Sequence, residues 1–454
     1  MMGWMESHPE AISESEPNSF HGTTVPVLCI QTEFGRTQHE KELEEILAGE
    51  QVCRITFTFG DWGSVCGSSC PRCGKDPLWK RIVNWLEINS EIANKIKPGT
   101  KLIGRTWYFK HDVIDSLIQN TPAGIGIRVK EPTGIILDQP LGPHHLEQDN
   151  YSDIMLIKRD LNEKYGLAYK KAGKKRGNDF YASVGMGDTG ESTDPVIGMA
   201  TPFITAYKMR RLADMDVKNY CVWWGGLNAS VYSVNHEVIS AMTWDPFQDQ
   251  EQLIRNIAKR DFPGMEEEVY QLWETIDSAL LHWKYVNWQQ QFEEFAGRSD
   301  GLIYLPFIAD SIQNNKWVSK MWPNKDLLLE NEREVLAILN KAVDDARSIY
   351  ERSSISEVKA RAHQQYIWLR LYTAIMQAQS NVLTALDMID NDAGKDIWIN
   401  FLKEDKANTE NLLEIVHQIN YPGFRIDFRT TDDEIANFEN KIFLIDEILK
   451  EMES

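Results

Sequence analysis

The chain has 454 residues, 42% hydrophobic and 26% charged, and its 48 Lys and Arg against 68 Asp and Glu leave a net charge of −20. That length accommodates two or three domains, or one barrel-sized domain with an appendage. The acidic balance argues against a nucleic-acid or anionic membrane partner, and no apolar run is long enough to span a bilayer.

Residues 1–24 lack a basic stretch followed by an apolar one, so no signal peptide is expected there. Short β-branched or aromatic segments follow at "VPVLCIQTEF" (25–34), "CRITFTFG" (53–60), "KLIGRTWYF" (101–109), "GIGIRVKE" (124–131), "FYASVGMG" (180–187) and "NYCVWWGG" (219–226), and each reads as a strand. Between them, "QHEKELEEILAGE", "LWKRIVNWLEINSEIANKIKPG" and "PFITAYKMRRLADMDV" carry helical periodicity and end in helix-stop residues or begin with a first-turn proline. Repeated βα units predict a parallel sheet covered by helices. No Gly-x-Gly-x-x-Gly opens a helix after these strands, so a (β/α)8 barrel is preferred over a dinucleotide-binding sheet. Only six strands are read where such a barrel takes about eight. The first strands are therefore expected to be missing, the chain being a fragment, unless the 24 residues before Val25 hold something unusual.

From Trp244 onward the pattern turns to long helices: "DQEQLIRNIAKRDF", "MEEEVYQLWETIDSALLHWKYVNWQQQFEEF", "ENEREVLAILNKAVDDARSIYERS", "EVKARAHQQYIWLRLYTAIMQAQSNVLTALDMI" and "TDDEIANFENKIFLIDEILKEM". Apolar residues three and four apart fit an antiparallel bundle. The expected organisation is a partial (β/α)8 barrel over 1–243 and an all-α region over 244–454. The segment 142–178, with "KKAGKKRGN", reads as a long connection between strands, either a functional lid or a solvated insertion.

In such barrels the chemistry sits where strands run into the following loops. On this reading Glu33 ends the first strand and Asp61 the second; Arg105 and Trp107 lie on the third, and Arg128 and Lys130 on the fourth with Asp138 beyond it. Asp188 and Glu191 follow the fifth, and Trp223 and Trp224 lie on the sixth. Paired carboxylates with aromatic platforms suit glycoside hydrolysis, in which one acid protonates the leaving oxygen and another carboxylate activates water or attacks the sugar. A single Asp at a strand end is more commonly a helix cap, so the ensemble carries the expectation.

Cys66, Cys70 and Cys73 have C-x3-C-x2-C spacing. Zinc takes four ligands, so these three need a fourth from Cys29, Cys53, Cys221 or a histidine. The alternatives are a reduced loop or one closed by a disulfide. His144 and His145 lack a third ligand at suitable spacing and read as a solvated loop, as does the basic run 170–176.

In order along the chain, "FTFGDWGS", "IGRTWYF", "IRVKEPTGIILDQP" and "AMTWDPFQDQEQLIRNIAKRDF" resemble motifs of the glycoside hydrolases related to xylan α-glucuronidases and β-hexosaminidase-like barrels. "HPEAIS" and "CGSSCPRCG" resemble a less characterised branch of the same barrels. The resemblance spans 7–262 and implies a (β/α)8 domain followed by helices, acting on a uronic acid-containing glycan without an organic cofactor. It implies that Arg105 and Lys130 bind the uronate carboxylate, and that Asp138 and Glu191 are carboxylates that activate water, with Asp188 as a rival for the second. The family's Asp-Ser-Glu is "DWGS" here, which leaves Asp61 as the acid, or Glu33 in its place. The expected function is thus carboxylate-catalysed hydrolysis of a glycosidic bond, with Trp107, Trp223 and Trp224 as stacking surfaces. A carbohydrate-binding barrel without catalysis and a metal-dependent hydrolase are the alternatives.

Overall fold

The computed structural model describes residues 7–17, 24–49, 51–59, 65–106, 111–130, 180–185, 200–214, 216–217, 219–223, 232–282, 325–419 and 431–453. A small antiparallel hairpin comes first, β1 (Ile12–Glu14) against β2 (Pro26–Leu28), with Ile12 opposite Leu28. Helix α1 (Glu33–Leu47) follows, started by Thr32, whose Oγ1 accepts from the Gly35 N–H at 2.9 Å. The segment expected to be the first barrel strand is therefore a three-residue hairpin strand and a capped helix start, outside the parallel sheet. Glu33 opens α1 on its exposed side and ends no strand.

The remaining strands form one parallel sheet in unreversed order: β3 (Arg54–Phe59), β4 (Lys101–Thr106), β5 (Gly126–Lys130), β6 (Phe180–Gly185) and β7 (Tyr220–Trp223). The connections hold α2 (Leu78–Ile96), α3 (His111–Asn120) and α4 (Pro202–Asp214). Right-handed crossovers between strands that never reverse order place successive helices on one face of the sheet. A doubly wound sheet would need a switch point, and the order has none. Among the described residues the sheet is an open one of five strands, not a closed barrel of eight.

Strand alternation separates its two faces. On one of them Ile55 and Leu102 pack with Leu43 and Leu47 of α1 and Ala93 of α2, and Phe59 and Ile127 pack with Leu86 of α2 and with Ile114 and Leu117 of α3. Gly104 lies in this helix-covered row, where a Cβ would stand 2.9 Å from Leu86 Cδ1, so α2 sits too close for a side chain. Trp85 fills the space beside it with edge-on contacts to Phe57 and Phe59, at centroid distances of 4.5 and 5.3 Å.

Among the described residues seven further helices follow: α5 (Val234–Trp244), α6 (Gln250–Asp261), α7 (Glu266–His282), α8 (Lys325–Arg352), α9 (Ser356–Asp390), α10 (Lys395–Gln418) and α11 (Thr431–Glu453). The "TWDP" stretch is the turn between α5 and α6: Asp245 ends one helix and its Oδ1 accepts from the Phe247 N–H at 3.1 Å. The largest core cluster runs from Ala200 and Met209 of the α4 region through Trp273 of α7 to Trp368 and Tyr372 of α9, continuous across residue 243. Buried Asp277 of α7 fastens the two regions together, its Oδ2 accepting from the Phe203 N–H in the first turn of α4 at 2.9 Å.

Candidate functional site

Two of the polar groups expected at a barrel mouth, Arg105 and Arg128, lie on β4 and β5. Register places Thr58 beside Arg105 and Arg105 beside Arg128. Because Phe57, Gly104 and Ile127 of the adjacent row face the helices, Thr58, Arg105 and Arg128 occupy the opposite face. Arg105 is buried and Arg128 half-buried, so two neighbouring arginines stand near the strand ends on the face turned away from α1, α2 and α3. Lys130 closes β5 two residues after Arg128, and Trp223 closes β7.

Asp61 and Trp107 follow the last residues of β3 and β4 in sequence but lie outside the described residues, as do Asp138, Asp188, Glu191, Trp224 and the His144–His145 pair. The structure thus brings Arg105 and Arg128 together and removes Glu33 from the strand ends.

A second group of side chains comes from the loop after β3 and from the end of the hairpin. Cys29, Cys66, Cys70 and Cys73 place their sulfurs within 4.8 Å of one another, and among the described residues this is the cluster suited to a metal. Cys29, named in the sequence as one of several partners, is the residue that joins the three loop cysteines; Cys53 lies exposed at the other end of β3.

The backbone explains why four cysteines from two segments converge. Cys29 follows β2, and its N–H donates to Ala11 O at 2.8 Å, while Ser15 bridges Cys66 from the hairpin's other strand. Glu16 N–H donates to Val65 O at 3.1 Å and Gly67 N–H to Glu14 O at 2.7 Å, so the hairpin and the loop are sewn along their length. Buried Arg81 of α2 closes the arrangement, donating to Cys66 O and pairing with Glu16 at 2.8 Å. The loop then turns tightly, with the Cys70 N–H donating to Gly67 O and the Gly74 N–H to Cys70 O. A Cβ on Gly74 would lie 2.2 Å from Ser68 O and 2.6 Å from Cys70 O, which is why glycine stands there.

The four thiols perturb one another. Cys29 is pulled down to about 5, first by the hydrogen bond from the Cys66 thiol, against the opposing effect of burial. Its hydrogen bond to Cys29, together with burial, pushes Cys66 up, and burial carries Cys73 up to about 12. Burial also opposes ionisation of Cys70, but the backbone N–H groups of Cys73 and Arg72 outweigh it and leave this thiol below its usual range.

No family model matches the chain, and no curated protein matches it. Among solved structures, the chain is similar to one titled "Structure of CpGH84B", at 13% identity with a TM-score of 0.36, over 91% of this chain and 63% of that one. It is likewise similar to a mutant O-GlcNAc hydrolase from Thermobaculum terrenum, at 11% identity with a TM-score of 0.38, over 91% of this chain and 76% of that one. The chain therefore spans less than two thirds of the length of the first.

Proposed function

We propose that this chain is part of a glycoside hydrolase whose active site forms at the carboxyl-terminal edge of the parallel sheet. The observation that carries the reading is the side-by-side placement of Arg105 and Arg128 on the face of an unreversed parallel sheet turned away from α1, α2 and α3. In a (β/α)8 barrel that face is the interior, and its carboxyl-terminal mouth is where substrate sits. Asp61 and Trp107 come next in the chain after the strands that supply Thr58 and Arg105.

On this reading Asp61 protonates the glycosidic oxygen, while Asp138 and Glu191 are the candidates to activate water on the other side of the sugar ring. Asp188 is the rival to Glu191, and Trp107, Trp223 and Trp224 supply flat apolar faces for the ring. Glu33, on the exposed side of a helix, takes no part. Arg105, Arg128 and Lys130 concentrate positive charge on two adjacent strands of an otherwise acidic protein. Guanidinium groups bind carboxylates through paired charge-assisted hydrogen bonds, so a sugar bearing a carboxylate is the substrate class this edge favours.

The test is release of the aryl leaving group from a panel that sets aryl uronides beside aryl N-acetylglucosaminides. The Asp61→Asn variant should lower kcat by at least about a hundredfold, the range of a lost general acid. Equal turnover by this variant removes Asp61 from the mechanism, and preference for the neutral sugar removes the uronate assignment.

A further inference from the structure

We propose that Cys29, Cys66, Cys70 and Cys73 bind one zinc ion as a closed tetrathiolate centre. The sulfur spacing suits a tetrahedron. With zinc–sulfur bonds of about 2.3 Å, ligand sulfurs stand about 3.8 Å apart. The Cys29 and Cys70 sulfurs are 3.8 Å apart, and all four lie within 4.8 Å of one another. A disulfide would draw one pair to about 2.0 Å and leave the other two cysteines without a role. An iron–sulfur cluster must fit its inorganic core between the thiolates and needs a wider cage.

The surroundings are those of metal ligands. Cys29, Cys66 and Cys70 are buried, and Cys73 is half-buried. Cys70-x-x-Cys73 ends on Gly74, whose lack of a Cβ lets the turn fold back on Ser68 and Cys70. The second half of the site is not another Cys-x-x-Cys but Cys29, delivered by the hairpin, and Cys66, held through its carbonyl by Arg81.

Four protein ligands leave no open position, so the centre is structural and not a site of hydrolysis. It joins the amino-terminal hairpin to the loop that leaves β3, in which Cys66, seven residues after Phe59, bridges back to Ser15. This inference is independent of the glycosidase reading and of any activity.

Metal analysis of the purified full-length chain tests it directly. The expected result is one zinc per chain, with cobalt exchanged into the site giving the intense visible d–d bands and thiolate charge transfer of a tetrahedral sulfur centre. Cys29→Ser and Cys70→Ser should each lower bound zinc by at least tenfold, and Cys53→Ser should leave it unchanged. Because the serine variants can fail to fold, the wild-type measurements decide. Stoichiometric iron, a disulfide among the four cysteines in the intact mass, or four free thiols that take up no zinc on titration would each overturn the assignment.

Discussion

The ion pair between Lys441 of α11 and Asp405 of α10 offers a quantitative test of how the carboxyl-terminal helices are held. The Lys441 Nζ lies 2.8 Å from Asp405 Oδ2, with the two side chains 2% and 0% exposed. Asn381 of α9 donates to the other carboxylate oxygen at 2.7 Å, so one buried acid gathers three helices. Burial pulls the Lys441 amine below its usual range, against the pull of Asp405 in the other direction. Lys441→Met keeps the length of the side chain and deletes the ammonium, which strands a carboxylate without solvent or counter-charge. Removing one partner of a buried pair costs about 3–5 kcal/mol, whereas replacing both with groups of similar shape is close to neutral. Urea unfolding followed by circular dichroism should therefore show Lys441→Met destabilised by that amount, and the double variant Asp405→Asn with Lys441→Met recovering most of it. A single variant within about 0.5 kcal/mol of wild type, the ordinary range of surface substitutions, would refute the reasoning.

Asp277 gives a pH-dependent test. Full burial raises its carboxyl well above the ordinary value despite the N–H groups of Phe203 and Ile204 that it accepts from. The folded chain therefore holds a proton that the unfolded chain releases, and the associated stability is present at acid pH and lost as pH rises through the folded-state value. Asp277→Asn keeps an acceptor for Phe203 and does not titrate, so its stability relative to wild type should increase from pH 4 toward neutrality in denaturation curves taken across that range; a pH-independent difference would count against the assignment. At the cysteine centre, Gly74→Ala should lower zinc occupancy, read by metal analysis on the folded variant, because the added carbon cannot fit against Ser68 and Cys70; full occupancy would show that the turn can open without releasing the metal.

Much of the parallel sheet was legible in the sequence because its strands are short, β-branched and bounded by Gly, Pro or Asp. The five segments from "CRITFTFG" to "NYCVWWGG" each contain a strand of the sheet. The first segment misled because its apolar part is only three residues of hairpin, and "TEFG" is a helix start in which Thr32 caps Gly35. β1 gave no periodic signal at three residues. Helix α10 does carry apolar residues at helical spacing, Phe401, Leu402, Leu412, Ile415 and Val416, but frequent charges dilute the pattern. For the metal ligands, spacing named the three loop cysteines but not the fourth. Cys29 is 37 positions before Cys66 and reaches it only through the hairpin's pairing, which no local pattern announces. The arginine pair depended on register, which sets Arg105 against Arg128 from strands 23 residues apart.

The core that passes unbroken from α4 into α7 and α9 bears on what can be separated from what. Met209 and Leu212 of α4 share that core with Trp273 and Trp368, and the Phe203 N–H finds its acceptor on α7. The outer wall of the last βα unit is thus built by residues that come later in the chain, so the carboxyl-terminal helices are not a detachable appendage. A cut after residue 243 would leave α5 as the one described helix still covering the apolar side of α4, and its first turn without its carboxylate. Tyr220 of β7 packs against the same core, so the cut would also weaken the last described strand of the sheet and any chemistry hosted at its end.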